Sequence, residues 1–429
     1  MTSRERVMLA LAHRQPDRCP IDLGSCGQTG MNVSTVYRLR EALGLDRHRI
    51  KVTEPFQMLG EIEDDLLKAV HSDVIGLWNR GNMMGFSQEK WKPFDLDDGT
   101  PALIGSGLEY DMNEKGDRLV YAMGDRNAGY AFVMPKGGSF FDNLDHFDKA
   151  FDWDLDEDEL TPEEDFSDDF KVVTDEDARY WERESKALYE GTDYAVMGVL
   201  GGGGLGDAAW IPGPTVKHPR GIRTIPDWLM AQVMYPDYVR RVFAMQTEVM
   251  LKNLEIYREA VGERIQVIWV SGIDFATQNG LFFSRDIFRS IYMPFYKKIN
   301  DWIHENTGWK IFYHSCGCIN DLLDDFVEIG VDCLNPVQFS AMENRGMTPK
   351  KLKQQYGDRL VFWGGGVDTQ KVLPFGTPEE VRAQVRERVG ILGEGGGYVF
   401  NPIHNVVKDV PAENLIAMYE TVLGDKITG

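Results

Sequence analysis

The sequence predicts an α/β fold: a (βα)8 TIM barrel carrying a β-hairpin and an acidic insertion in its N-terminal half. Three observations lead there. From about Gly191 onward, short apolar runs alternate with longer amphipathic stretches, the rhythm of βαβ units on a parallel sheet. The chain has 429 residues, which suits one such barrel with additions, and no flexible linker divides it. Apolar runs also stop abruptly at side chains that carry chemistry, where a barrel keeps its active site.

Strands are expected at residues 194–200, 266–270, 310–314, 331–336, 360–363 and 398–401, with residues 20–23 and 74–78 completing the ring from the N-terminal part. Helices are expected over 284–305, 320–329 and 377–392. The last of these opens with Thr377-Pro378-Glu379-Glu380, a capping box with proline in the first turn. Residues from about 95 to 170 break the rhythm. Leu119–Met123 and Tyr130–Met134, joined by a glycine- and asparagine-rich turn, read as a β-hairpin. The Asp- and Glu-dense run 152–169 reads as a solvated charged face. One domain, 1–429, with an insertion at about 95–170, is therefore expected.

Composition narrows the class of function. With 46 basic and 68 acidic residues the net charge is −22, which argues against nucleic acid or an anionic membrane as partner. No apolar run approaches the roughly 18 to 20 residues that span a bilayer. The N-terminus enters a helical pattern without a signal-peptide core. Five scattered cysteines do not form a disulfide framework, so a cytoplasmic protein with reduced thiols is expected.

The run Trp309-Lys310-Ile311-Phe312-Tyr313-His314-Ser315-Cys316-Gly317 is an apolar strand ending in a histidine and a thiol two residues apart. Residues i and i+2 of a strand share a face, so both side chains can reach one ion. His404, in the loop after the apolar run 397–402, is the best candidate for a third ligand. Two nitrogens and one thiolate leave a fourth position open, as in catalytic zinc sites. Cys318 and Cys333 compete for the place. Cys333 lies inside an apolar run and reads as a small core residue, and Cys318 reads as the first turn of a helix. The glycines at 201–204 and 206 lack both the G-x-G-x-x-G pattern and a Walker lysine, so a mobile loop over the barrel mouth is expected there rather than a phosphate cradle.

Four segments resemble the uroporphyrinogen decarboxylase superfamily. They are the opening Arg4-Glu5-Arg6-Val7-Met8-Leu9-Ala10-Leu11-Ala12-His13-Arg14-Gln15-Pro16-Asp17-Arg18-Cys19-Pro20, the His314-Ser315-Cys316-Gly317 motif, the strand end Gly364-Gly365-Gly366-Val367-Asp368, and the closing Val410-Pro411-Ala412-Glu413-Asn414-Leu415. The resemblance spans nearly the whole chain, is weakest over the insertion, and implies a (βα)8 barrel throughout. Decarboxylases of that superfamily carry an N-terminal R-Q-A-G-R motif that grips the acidic arms of a tetrapyrrole. Here the corresponding stretch is Gly24-Ser25-Cys26-Gly27-Gln28-Thr29-Gly30, which offers an octa-acid no partner.

The resemblance then points to the cobamide-dependent methyltransferase branch, which includes the coenzyme M methyltransferases, with zinc ligands H-x-C and a later cysteine. Counting back from Pro411-Ala412-Glu413-Asn414, the late cysteine falls on His404. One thiolate in place of two leaves a more positive, stronger Lewis acid, suited to an ether oxygen rather than to a thiol. This implies a zinc-dependent methyltransferase, an O-demethylase component moving a methyl group from a small donor, favoured as an aryl methyl ether, to a corrinoid (cobalamin). Asp46-Arg47-His48 matches only half of a corrinoid-binding D-x-H-x-x-G, so the corrinoid would come from a separate protein. A homodimer is implied by the resemblance alone.

Asp274 and Asp368, each following a strand, are candidates for proton transfer or for supporting a ligand. Their alternative role is helix capping. Gln278, Asn335, Gln338 and Asn401 are candidates for substrate contact. The competing readings are a metal-assisted lyase acting on a small carboxylic acid and a non-catalytic metal-binding barrel. A zinc hydrolase is disfavoured, since the H-x-H strand motif of barrel amidohydrolases is absent.

Overall fold

The barrel strands read as unbroken apolar runs because parallel strands are buried on both faces. In the computed structural model, which describes residues 1–144 and 151–429, seven of them form one parallel sheet. In chain order they are Val74–Leu77, Ala195–Val199, Val267–Gly272, Lys310–His314, Cys333–Asn335, Val361–Trp363 and Tyr398–Val399, each paired with the next. The eighth position is reduced to one residue. Ile21 makes a parallel bridge to Phe400 on one side, and its carbonyl accepts the Asp73 amide on the other, so residues 20–23 close the ring as expected.

Alternation along the strands separates two packed layers. Ala195, Met197, Val199, Phe312, Cys333, Val361 and Trp363 fill the barrel interior together with Val7, Ala10 and Leu11. Those three lie on the N-terminal helix Ser3–Leu11, which plugs one end of the barrel and is held by a Thr2–Glu5 capping box. Cys333 is fully buried in this interior, as the reading of it as a core residue requires. Neighbouring residues such as Val196, Ile268, Ile311 and Leu334 face the outer helices instead.

Below the barrel, the fully buried Asp73 carboxylate takes both Arg6 (2.6 Å) and Arg18 (2.7 Å), and also accepts the Ile21 amide. A buried charge must be paired in this way to be tolerated. The helix Pro378–Leu392 begins at Thr377 with the expected capping box. The helix expected over 284–305 is interrupted by a π-turn at Phe288–Tyr292, just before Pro294, whose missing N–H breaks the regular ladder.

Between the Val74–Leu77 and Ala195–Val199 strands the chain builds additional antiparallel structure. The expected hairpin is present as Arg118–Tyr121 paired with Tyr130–Met134, and it belongs to a four-stranded sheet with Tyr110–Met112 and Asp142–Asn143. A second four-stranded sheet joins Trp91–Asp95 and Pro101–Gly105 to Ile50–Glu54 and Leu59–Gly60 from earlier in the chain. Residues 145–150 of the expected insertion lie outside the described residues.

The acidic run is only partly a solvated face. Glu157 caps the first amides of the long helix Pro236–Val261, and Asp169 pairs at 2.8 Å with Arg223, whose side chain is fully buried. Arg223 also stacks on Phe166, 4.0 Å from its ring centre. These contacts carry Phe166 and Phe170 over the barrel mouth. Among the described residues no helix is long and apolar enough to cross a membrane.

Candidate metal centre

The strand geometry of Lys310–His314 persists one residue further, because the Ser315 amide donates to the Asn335 carbonyl at 2.9 Å. His314 and Cys316 therefore share the inner face, and the Cys316 Sγ lies 3.3 Å from the His314 Nε2. Gly317 follows with φ +91°, and a Cβ there would stand 2.4 Å from the Ala276 carbonyl oxygen, so the turn after the thiol admits only glycine. His404 arrives from the last strand. Its loop is laced to the preceding strand end by bonds from Ile403 to Val367 and from Gly366 to Asn401. The donor atoms of His314, Cys316 and His404 all lie within 4.8 Å of one another.

Each imidazole is held by an amide that is itself held. Asn335 gives an N–H to the Trp363 carbonyl (2.8 Å), which turns its Oδ1 to the His314 Nδ1 at 2.5 Å. Asn405 gives its N–H to the Gln57 Oε1 (2.5 Å), which turns its Oδ1 to the His404 Nδ1 at 2.6 Å. Both Nδ1 atoms are therefore the protonated nitrogens, and both Nε2 lone pairs are free for a cation.

Burial lowers the pKa of His314 to about 4, with the nearby His404 adding to the shift, and burial lowers that of His404 as well. Neutral imidazoles are what a metal requires. Burial and then Asp274 push the Cys316 thiol up, a preference that a bound cation reverses. Two oriented imidazoles, one thiol and an approach from the mouth fit a borderline-soft ion such as Zn²⁺.

The other expected site residues divide. Asp274 is exposed at the mouth and accepts the Cys316 amide at 2.8 Å, so it supports the thiol's backbone. Asp368 turns its Oδ1 to the amides of Gln370 and Lys371, capping its own turn, which is the capping alternative for this residue. Asn335 supports His314. Gln338 accepts the Gly317 amide at 2.6 Å, and Asn401 donates to the Asp22 carbonyl at 3.0 Å while its Oδ1 is buried without a partner, so each of these three has at least one atom engaged by the framework of the site. Gln278 sits in an exposed turn where its carbonyl accepts Asn344. Cys318 is buried in the loop two residues before the helical turn Asn320–Leu322, not in its first turn as expected, and its amide bonds to the Thr277 carbonyl. His48 is paired with Glu63, far along the chain from this cluster.

Beside the cluster opens a cavity of about 330 Å³ with an aromatic wall that includes Trp78, Phe166, Trp210 and Trp269. Gly272, another lining residue, pairs in register with His314, so cavity and cluster are one strand apart. The glycine tract forms part of the wall. It is tied down rather than free, since Gly201 and Gly203 donate to the carbonyls of Trp269 and Val270.

Asp207, at the end of that tract, is a residue the sequence reading missed. Burial, with Asp274 adding, raises its pKa to about 7. The aspartate after the glycine run was the available signal. Gln28 and Trp269 were missed too, and they carry buried polar atoms with no hydrogen-bond partner: the Gln28 Oε1 and the Trp269 Nε1.

Part of the sequence and the fold are matched by known proteins. Residues 219–424 match the family model of uroporphyrinogen decarboxylase (URO-D). The matched residues include the His314–Gly317, Gly364–Asp368 and Val410–Leu415 motifs. Curated relatives include uroporphyrinogen decarboxylases of Methylococcus capsulatus (36% identity over 70 residues, 16% of this chain and 19% of that protein) and of Pelodictyon phaeoclathratiforme (23% over 188 residues, 42% and 46%). The chain thus matches less than half the length of these relatives. Among solved structures, a methyltransferase from Methanosarcina mazei superposes with a TM-score of 0.54 at 16% identity, covering 99% of both chains, a likeness of fold.

Proposed function

We propose that the protein is a zinc-dependent methyltransferase that moves a methyl group from a small aryl methyl ether to the reduced corrinoid of a separate protein. The observation that carries this reading is the His314, Cys316 and His404 cluster at the strand ends, opening beside an aromatic cavity. A zinc ion held by those three side chains would act as a Lewis acid toward the ether oxygen, favouring departure of the phenolate. The corrinoid of the partner protein would supply the acceptor for the methyl group, and the phenolate released would take up a proton.

The chain's residues supply positioning. Asn335 and Asn405 fix the ligand tautomers, Asp274 anchors the Cys316 backbone, and the aromatic wall excludes water from the ring. A uroporphyrinogen decarboxylase-like lyase acting on a small carboxylic acid is the competing reading. It is disfavoured because no arginine lines the cavity among the described residues. The test is to incubate zinc-loaded protein with a panel of methoxylated aromatics and a cob(I)alamin-bearing partner, following cobalamin absorbance. Methylcobalamin formation supports the proposal. Zinc binding without corrinoid methylation by any donor refutes it.

A further inference from the structure

The two histidines of the cluster are supported from different places. Asn335 comes from the barrel strand beside His314 and is pinned within the sheet by the Trp363 carbonyl. His404 follows the last strand, whose neighbour on the far side of the ring is the single bridge from Ile21 to Phe400. No full strand lies there to carry a matching support. The turn 55–58, outside the barrel sheet, takes its place: the Gln57 Oε1 accepts the Asn405 Nδ2, and Asn405 turns its Oδ1 to the His404 Nδ1.

That turn is built on Glu54, the last residue of the strand Ile50–Glu54. Glu54 is fully buried, and among the described residues no cation pairs with it. One carboxylate oxygen accepts the Phe56 amide and the other the Gln57 amide, each at 2.8 Å. A buried carboxyl without a counter-charge is costly, and burial pushes its pKa up to about 7. What the carboxylate provides is two acceptors at once. A glutamine would offer one oxygen and turn an amide donor toward the second backbone N–H. The turn closes through the Met58 amide on the Pro55 carbonyl, with Met58 in left-handed backbone at φ +54°, a conformation uncommon for a side chain of that size. The Asn32 Nδ2 donates to the Gln57 carbonyl at 3.4 Å, and the Phe141 amide to the Phe56 carbonyl at 2.7 Å, which fixes the outer side of the turn.

Resting on the reading of His314, Cys316 and His404 as a metal centre, we propose that Glu54 is a positioning residue of that centre. By holding the amides of Phe56 and Gln57 it aims the Gln57 side chain at Asn405, and so sets the tautomer of His404 that leaves Nε2 to the metal. Glu54 acts through Gln57 and Asn405, and His314 lies outside that chain of bonds.

The test has two readouts at pH 8, where the Glu54 carboxyl is mostly charged. In metal-free protein with isotope-labelled histidine, NMR reads the tautomer of each ring, the His404 signals being assigned by their loss in His404→Gln. The unmodified protein should show His404 protonated at Nδ1 only. Glu54→Leu and Gln57→Leu should each show a mixture with the Nε2 tautomer, while His314 stays protonated at Nδ1. The second readout is Co²⁺ affinity in a chelator competition. Each of these two variants should lose about tenfold, and Glu54→Gln, which keeps one of the two amides, should fall between. The Glu54→Leu/Gln57→Leu double variant should bind no more weakly than Gln57→Leu alone, because the two residues act in series. A folded Glu54→Leu with an unchanged His404 tautomer and unchanged cobalt affinity overturns the proposal, as do additive losses in the double variant. If Glu54→Leu fails to fold, Glu54→Gln and Gln57→Leu decide through the same ring signals, and a His404 tautomer unchanged in both overturns the proposal. A His404 tautomer that loosens in Glu54→Leu, in a protein that binds no cobalt, upholds the hold of Glu54 on the ring and sinks the metal reading. Cobalt bound equally tightly in every variant upholds the metal centre and sinks the role of Glu54.

Discussion

Asn335 accepts the Nδ1 proton of His314 at 2.5 Å while its own amide is pinned to the Trp363 carbonyl, so one asparagine sets the tautomer of a histidine at the next strand end. Asn405 repeats the arrangement for His404 through Gln57. Supports of this kind typically carry about 10- to 100-fold in metal affinity. Asn335→Leu and Asn405→Leu should each weaken zinc binding by about that factor in a chelator competition while the His and Cys ligands remain. Affinity unchanged in both variants would show that the amides do not orient the ligands.

His404→Cys tests the charge argument. The variant should keep zinc, since thiolate is a good ligand, but slow demethylation by about tenfold or more, because a second thiolate weakens the Lewis acid and each ~1.4 kcal/mol of barrier is tenfold. A rate equal to or above that of the unmodified protein would reject the argument.

Most of the barrel was legible because its strands are doubly buried and its helices are capped by recognisable residues. The His314 and Cys316 pair was legible for a related reason: period-2 geometry is local and survives through Ser315. Asn335, Gln338 and Asn401 were legible as polar strand-end or loop residues, but not their bonds within the framework. Sequence does not reveal the partners that come from other segments, the His314 imidazole, the Gly317 amide and the Asp22 carbonyl. Asp207, Gln28 and Trp269 escaped notice because their environment is assembled from segments far apart in the chain. The acidic run looked solvated for the same reason, since Arg223 and the Pro236–Val261 helix that engage it lie beyond it in sequence.

Asp207 makes stability depend on pH. Its carboxyl is held near 7 against an unperturbed 3.8, so folding favours the protonated form. The favourable contribution is full below about 3.8 and is lost as pH rises through about 7. Asp207→Asn, which keeps an acceptor for the Ala209 amide, should raise the denaturation midpoint relative to the unmodified protein at pH 8 but much less at pH 5. An equal difference at both values would contradict the assignment.

Asp73→Ala should destabilise the fold by about 3–5 kcal/mol, because it removes the buried carboxylate shared by Arg6 and Arg18 and leaves the buried Arg6 only the more exposed Asp17, 2.6 Å away. Chemical denaturation provides the measurement, and a loss under ~1 kcal/mol would mean that water or Asp17 compensates.

The most direct test of the metal centre is the zinc content of the purified chain beside His314→Ala, Cys316→Ala, His404→Ala and Cys333→Ala, each checked for native circular dichroism. The account predicts about one zinc per unmodified chain, near-complete loss in the first three variants with the barrel intact, and retention in Cys333→Ala, whose thiol is enclosed in the barrel interior. Full occupancy in the His404→Ala variant, or loss of zinc from a folded Cys333→Ala, would contradict it.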